Sequence, residues 1–234
     1  MQANPTHSRF LDASWYGRYQ SCIVGGAGGI GSWLTLFLAR QGHSIYLYDF
    51  DTVEEHNIGG QLYSTEDIGL SKVSATYTNV QRFTNNSIYS INERYDENSF
   101  PGPVMFACFD NMASRKLMVE KWVQHNFFPD RVPVPDELFL FMDGRLNAET
   151  ADILCLQTKE DVERYLKDDY FEDSKVADAP CTFKATSHCG AILAGMMTSI
   201  FNNAIANKFA NEGRSVPYKT SIYLPTVNVI TDES

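Results

Sequence analysis

A short glycine-rich loop is the first feature of this sequence whose spacing points to chemistry. Gly26, Gly28 and Gly31 fit the pattern G-x-G-x-x-G, and Gly29 lies within it. A glycine loop that opens a helix lets backbone N–H groups approach a phosphate without a Cβ in the way. Asp49 follows Gly28 at about the twenty-residue separation at which such folds place a carboxylate on ribose hydroxyls. These residues predict a nucleotide site, and they fit NAD and ATP equally well.

The residues around this loop predict the elements that must position it. Residues 21–25 form an apolar run typical of a buried strand, and apolar residues recur at helical spacing over residues 30–38. Gly42 is placed to end that helix, and residues 44–48 predict a second strand that ends at Asp49. Strand, glycine loop, helix and strand in this order indicate two parallel strands of an α/β fold.

The rest of the chain continues the α/β pattern and then changes character. We expect helices over residues 72–83, 112–125 and 188–209, and strands over residues 88–92, 104–108, 138–142 and 151–157. Residues 50–71 read as a long polar loop, residues 168–180 as acidic and irregular, and residues 221–230 as β-prone with a bend at Pro225. The prediction is a Rossmann-like, mainly parallel sheet flanked by helices, with antiparallel strands in the C-terminal half. Residues 1–20 are assigned to an N-terminal arm and residues 21–234 to a single domain.

Composition narrows the class of protein. The net charge of −10 disfavours binding to nucleic acid or to an anionic membrane, both of which reward positive charge. The five cysteines show no C-x-x-C spacing, so neither a zinc site nor a disulfide framework is expected. No signal peptide and no run of 18 consecutive apolar residues is visible. These features favour a cytoplasmic protein.

Several separated motifs resemble the ThiF/MoeB/HesA family, which includes the activating enzymes of ubiquitin-like proteins. After the glycine loop, the matching residues, in order and register, are Asp49-Phe50-Asp51, Asn57, Gln61, Asp67-Ile68-Gly69, Lys72 and Cys108-Phe109-Asp110-Asn111. The resemblance is clear over residues 21–111. It implies Mg²⁺·ATP-dependent adenylation of the C-terminal carboxylate of a small ubiquitin-like or sulfur-carrier protein, with release of pyrophosphate, and it implies a homodimer.

The resemblance also implies a role for each matched residue. Lys72 would contact the phosphates and Asp110 would hold Mg²⁺. Asp49 would bind the ATP ribose, while Asn57 and Gln61 would line the phosphate region that Asp51 shapes. Taken one at a time, Lys72 also fits a solvated surface residue, and Asp110-Asn111 also fits a cap of the next helix.

The sequence departs from the family at one charged position. The family pattern N-L-x-R-Q reads Asn57-Ile58-Gly59-Gly60-Gln61 here, so Gly60 replaces an arginine that contacts the phosphates. Activity therefore depends on a substitute, and Arg9, Arg18 and Arg145 are the candidates. The paired C-x-x-C zinc motifs of some relatives are absent as well.

Cys181 is a candidate for a second reaction step. Ala179-Pro180-Cys181-Thr182 is similar to the P-x-C-T signature around the catalytic cysteine of ubiquitin-type activating enzymes, which implies transfer of the adenylated carboxylate to a thiol. A small residue packed under the last helix is the alternative for this cysteine.

Two other functions remain open from the sequence. An NAD(P)-dependent oxidoreductase would account for the glycine loop and Asp49, but would leave Lys72 and Asp110 unexplained. A catalytically weak ThiF-like binding or assembly module would account for Gly60.

Overall fold

One eight-stranded sheet organises the chain, with the strand order β3-β2-β1-β4-β5-β6-β7-β8. The computed structural model describes residues 9–127, 137–173 and 187–232. The first five strands are parallel and β6, β7 and β8 are antiparallel. Their bounds are β1 Ser21–Gly25, β2 Ser44–Tyr48, β3 Ile88–Ile91, β4 Val104–Ala107, β5 Leu140–Asn147, β6 Thr150–Leu156, β7 Lys219–Tyr223 and β8 Asn228–Thr231. The expected fold class is confirmed, including the antiparallel strands in the C-terminal half.

Five helices cover the two faces of the sheet in the described part of the chain. Their bounds are α1 Gly31–Arg40, α2 Lys72–Gln81, α3 Met112–Phe127, α4 Lys159–Arg164 and α5 Ser187–Ala210. Apolar residues of α1, α2 and α5 share one core with the sheet, and those of α3 and α4 share the core on the opposite face. Helix α1 begins shortly after the end of β1, and Gly190 near the start of α5 lies against the carbonyl of Gly29. Both helices therefore begin at the edge of the sheet where the parallel strands end.

Helix α4 and the end of β5 differ from the sequence expectation. Helix α4 was not predicted, although Thr158 and Asp161 form a capping box at its start, with the Asp161 N–H 3.1 Å from the Thr158 hydroxyl. The strand predicted over residues 138–142 runs instead over Leu140–Asn147, since polar residues continue it into a hairpin with β6. The expected bend at Pro225 is the short 3₁₀ turn that joins β7 and β8.

Helix α5 corrects the expectation that no stretch is apolar enough to cross a membrane. By length and composition His188–Ala210 qualifies, because its mean hydropathy is high although serine, threonine and asparagine residues interrupt the apolar run. In the structure this helix is mostly buried, and it packs on α1 and the sheet as a core helix.

Candidate functional site

The glycine loop connects the end of β1 to the start of α1. Gly26 has φ +95°, and a Cβ there would lie 2.7 Å from the Cys108 carbonyl oxygen that follows β4. A Cβ on Gly31 would lie 1.8 Å from the carbonyl oxygen of Gly26. Packing within the protein therefore requires glycine at these two positions.

Gly28 and Gly29 differ from the other two glycines because no atom of the described residues beyond their chain neighbours lies within 4 Å of a Cβ built on either residue. Packing among the described residues does not explain them, and within that part of the chain the space in front of the loop is open. The backbone N–H groups at the start of α1 carry the positive end of the helix dipole. This cradle, which a Cβ would partly fill, fits the close approach of a phosphate.

Asp49 lies at the end of β2 with its carboxylate fixed by two backbone donors. The Ala27 N–H donates to Oδ2 at 2.7 Å and the Asp51 N–H donates to Oδ1 at 2.8 Å. Burial raises the pKa of Asp49, and these two hydrogen bonds act in the opposite direction. The structure thus holds a carboxylate directly beside the glycine loop, where the sequence predicted a ribose-binding residue.

Lys72, at the start of α2, is a buried residue and not a solvated one. Its ammonium donates to Oδ2 of Asp51 at 2.8 Å, with 10% of the lysine side chain and 47% of the aspartate side chain exposed. Because Asp51 is bonded to Asp49 through its N–H, the lysine is brought close to the predicted ribose aspartate. Burying an ammonium group without a partner is costly, and Asp51 offsets that cost for Lys72. Because Asp51 is partly exposed, an anionic ligand can reach this cation.

Asn57 and Gln61 lie in the loop that the sequence assigned to the phosphate region. Asn57 is buried and its Oδ1 accepts from the Glu54 N–H at 2.9 Å, so its side chain shapes the turn. The Oε1 atom of Gln61 is buried and has no hydrogen-bond partner among the described residues. The carbonyl of Gly60 accepts from the Trp33 indole at 3.4 Å, which places this loop across the first turns of α1.

Asp110 follows β4 at the same edge of the sheet and is exposed. Asn111, not Asp110, caps α3, since its Oδ1 accepts from the Ser114 N–H at 2.8 Å. Asp173 accepts from the first two N–H groups of the same helix, at 2.6 and 3.1 Å. In the described residues no three His, Cys, Asp or Glu side chains are grouped as a metal site. A single exposed carboxylate suits Mg²⁺ that arrives with the phosphates of a nucleotide.

A buried ionic network at the end of β5 was not anticipated as a unit. Asp143 is fully buried and accepts from Arg115, from Arg145 Nε at 2.8 Å and from the Tyr165 hydroxyl at 2.8 Å. Arg115 also donates to the carbonyl oxygen of Phe109, the residue before Asp110. Two guanidinium groups share one carboxylate, so the network adds one net positive charge beside Asp110. Asp143 and Arg145 are two residues apart on a strand that continues an apolar run, so both side chains lie on the same face of the sheet. This spacing was the sequence signal available for the network.

The three candidates for the missing arginine occupy different places. Arg145 is committed, because Nε bonds Asp143 and an Nη atom donates to the Asp169 carbonyl at 2.7 Å. Arg18 lies over the Phe209 ring, 5.3 Å from its centroid, near the far end of α5. Arg9 is exposed in the arm at the limit of the described residues. None of the three is shown at the glycine loop of its own chain.

The cysteines divide into buried ones and one that is not described. Cys22, Cys108, Cys155 and Cys189 are buried, and burial raises the pKa of Cys108 to about 12. Cys181, the candidate for a second step, lies outside the described residues, so its role stays a prediction.

Comparisons with known proteins agree with this geometry. Residues 18–130 match the family model described as ThiF family, and no curated protein matches the chain. Among solved structures, E. coli MccB superposes with a TM-score of 0.72 at 14% identity, over 100% of this chain and 70% of MccB. E. coli MccB with ATP gives 0.69 at 16% identity, over 99% and 72%. A structure of selenomethionine PaaA gives 0.67 at 16% identity, over 94% of this chain and 66% of PaaA.

The chain thus spans slightly less than two thirds of PaaA and somewhat more of MccB. At these identities the solved structures show a common fold. The family model covers the glycine loop, Asp49, Lys72 and Asp110, which are the motifs whose register indicated the resemblance. Over residues 18–130, just under half of the chain, the sequence therefore matches the ThiF family.

Proposed function

We propose that this protein binds Mg²⁺·ATP and adenylates a polypeptide C-terminal carboxylate, most simply that of a small ubiquitin-like or sulfur-carrier protein. The observation that carries the proposal is the position of Lys72. Its buried ammonium lies on Asp51, which is bonded to Asp49 beside the open Gly28-Gly29 cradle. A phosphate cradle, a carboxylate for ribose and a cation near that carboxylate match a nucleoside phosphate.

The reaction requires alignment and charge neutralisation more than proton transfer. A carboxylate oxygen forms a bond to the α-phosphorus while the bond from that phosphorus to the bridging oxygen breaks, and pyrophosphate leaves. Negative charge grows on the departing pyrophosphate, so cations held beside it stabilise the transition state. In our proposal Lys72 supplies one such charge and Asp110 holds the Mg²⁺ that supplies the other.

Structures of relatives support this class of reaction. MccB has been solved with ATP, and with AMPCPP together with MccA. Nucleotide and a second substrate therefore occupy that protein together, as adenylation requires. We propose the same for this chain, together with a homodimer in the cytoplasm and a second transfer step at Cys181.

The test is ATP–pyrophosphate exchange with a panel of peptides that have free C-terminal carboxylates. Each peptide is paired with its C-terminally amidated form, which lacks the attacking oxygen. We expect exchange that depends on Mg²⁺ and on a free carboxylate. Equal exchange with amidated peptides would contradict carboxylate adenylation.

A protein that binds Mg²⁺·ATP but exchanges no pyrophosphate with any peptide or candidate protein would favour the assembly module. That outcome has a structural basis, since Gly60 supplies no charge and Arg145 is bonded to Asp143. The oxidoreductase predicts NAD⁺ binding without ATP binding.

A further inference from the structure

The hydroxyl of Tyr63 joins the glycine loop to the first turns of α2. Tyr63 is 7% exposed, and its O–H donates to the Ala27 carbonyl oxygen at 2.6 Å. The carbonyl oxygen of Lys72 lies 3.3 Å from the same hydroxyl, and the Thr76 hydroxyl lies 3.0 Å from it. One atom of one side chain thus contacts both the loop that faces the open cradle and the helix that carries Lys72.

These contacts belong to a closed circuit of hydrogen bonds. The Ala27 N–H donates to Asp49, and the Asp51 N–H donates to the same carboxylate. The Lys72 N–H donates to the Asp51 carbonyl oxygen at 2.9 Å, and the Lys72 ammonium donates to the Asp51 carboxylate. Tyr63 closes the ring between Lys72 and Ala27. The glycine loop, the ribose aspartate and the phosphate lysine are therefore fixed relative to one another by a ring in which Tyr63 has no backbone part.

We infer that Tyr63 is a positioning residue for the nucleotide: its hydroxyl sets the separation between the glycine loop and Lys72. The inference rests on the proposed function, because it assigns Tyr63 to the same ATP site. Tyr63 acts through Ala27 and Lys72, since its hydroxyl bonds their carbonyl oxygens.

The physical reason is preorganisation of the site. Groups already held in the bound geometry cost no reordering when the ligand arrives. Burial raises the pKa of Tyr63 far above neutrality, so the hydroxyl remains a donor throughout the working pH range. No other side chain in the ring bonds the Ala27 carbonyl oxygen in the described structure, so loss of the hydroxyl frees this part of the loop.

The test compares Tyr63→Phe with Tyr95→Phe. Tyr95 is 2% exposed, and among the described residues its hydroxyl donates only to the Phe100 carbonyl oxygen, at 3.5 Å. Both changes remove one buried hydroxyl and keep the ring. We expect the Kd for Mg²⁺·ATP to rise about tenfold in Tyr63→Phe, the upper end for one hydrogen bond, and to change less than about twofold in Tyr95→Phe. Thr76→Val, which removes the neighbouring hydroxyl at constant volume, should shift the Kd in the same direction as Tyr63→Phe.

A second readout separates positioning from general stability and from the proposed function. Amide hydrogen exchange of the nucleotide-free protein should accelerate in Tyr63→Phe over residues 25–31 and 72–76, and remain at the wild-type rate there in Tyr95→Phe. Wild-type ATP affinity or unchanged exchange in Tyr63→Phe would overturn the inference. If the wild type itself binds no Mg²⁺·ATP, the proposed function fails, and the exchange pattern still decides whether Tyr63 holds the loop.

Discussion

Lys72 shows at the scale of a single residue how burial changes the meaning of a charged side chain. Its ammonium has one carboxylate partner, Asp51, which is about half exposed. A pair of this kind adds little to stability, because the desolvation of the lysine offsets much of the attraction. Its value is therefore to hold a cation near the cradle before a ligand arrives.

We predict that Lys72→Met lowers kcat for ATP–pyrophosphate exchange by about 100-fold, the cost of removing one transition-state contact. The free energy of unfolding should change by less than about 1 kcal/mol, because the apolar replacement needs no ion partner and Asp51 remains hydrated. Lys116→Met is the control, since Lys116 is exposed and pairs with Glu120 on the surface of α3. Equal kcat values for the two variants would exclude Lys72 from the reaction.

His43 is a buried histidine whose environment makes the fold sensitive to acid. Its Nδ1 accepts from the Gln20 N–H at 3.1 Å, its ring packs on Phe201, and its Nε2 has no partner among the described residues. Burial lowers the pKa of His43 to about 4. Between pH 6.5 and pH 4 the unfolded chain therefore binds a proton that the folded chain does not, and stability falls as pH falls through this window.

We predict that this histidine removes about 2 kcal/mol of unfolding free energy between pH 7 and pH 5. The measurement is urea unfolding of the wild type and His43→Gln at both pH values, with exposed His56→Gln as the control. The variant should lose less stability on acidification than the wild type, and the control should lose the same amount. An identical pH dependence in all three proteins would contradict a neutral buried His43.

At the scale of the element, substitutions in the glycine loop can distinguish a glycine required for packing from one proposed to bind the ligand. Gly31→Ala should destabilise the fold by about 2 kcal/mol or more, because its Cβ would meet the Gly26 carbonyl oxygen. Gly28→Ala should change stability by less than about 1 kcal/mol, since its Cβ enters open space, and yet weaken Mg²⁺·ATP binding. Denaturant unfolding and calorimetric titration measure the two effects. Undiminished ATP binding by folded Gly28→Ala would show that the cradle does not hold phosphate.

The elements that could be predicted from the sequence are those whose burial pattern is local. β1 and β2 have the predicted bounds, because each is a short apolar run between turn residues. Helix α4 is short and only partly buried, so its apolar periodicity is weak and only its capping box marks it. The extension of β5 depends on pairing with β6, which is a contact that a single segment does not encode.

The candidate site follows the same division. The resemblance to the ThiF/MoeB/HesA family implied one site for Asp49, Asp51 and Lys72, and the structure joins them by hydrogen bonds. Tyr63 and Asp143 could not be found in this way. Tyr63 bonds Ala27, which is 36 residues away in the chain. Asp143 bonds Arg115 and Tyr165, which are 28 and 22 residues away. The pair that Asp143 forms with Arg145 is the one contact that close spacing indicated.

At the scale of the whole molecule, residues 9–20 of the N-terminal arm lie far from the glycine loop of their own chain. Phe10 shares a surface cavity with Phe37 and Arg40 near the end of α1, and Arg18 lies over Phe209 near the end of α5. Both contacts are at the opposite end of these helices from the glycine loop. We propose that an arm arginine that replaces the charge missing at Gly60 comes from a second copy of the chain.

We predict that two inactive variants complement each other when their subunits exchange. One is Lys72→Met and the other carries both Arg9→Ala and Arg18→Ala. In a mixed homodimer the site with an intact lysine receives an intact arm, which restores about a quarter of wild-type activity after random mixing. Each variant mixed with itself is the control. Activity that stays at the level of the separate variants would contradict an arm contributed by the partner.

Calorimetric titration with Mg²⁺·ATP and with NAD⁺, on the wild type and on Asp110→Ala, tests the central claim most directly. We predict that the wild type binds Mg²⁺·ATP but not NAD⁺, and that Asp110→Ala weakens ATP binding only when Mg²⁺ is present. Binding of NAD⁺ without ATP would contradict an adenylating site and would favour the oxidoreductase.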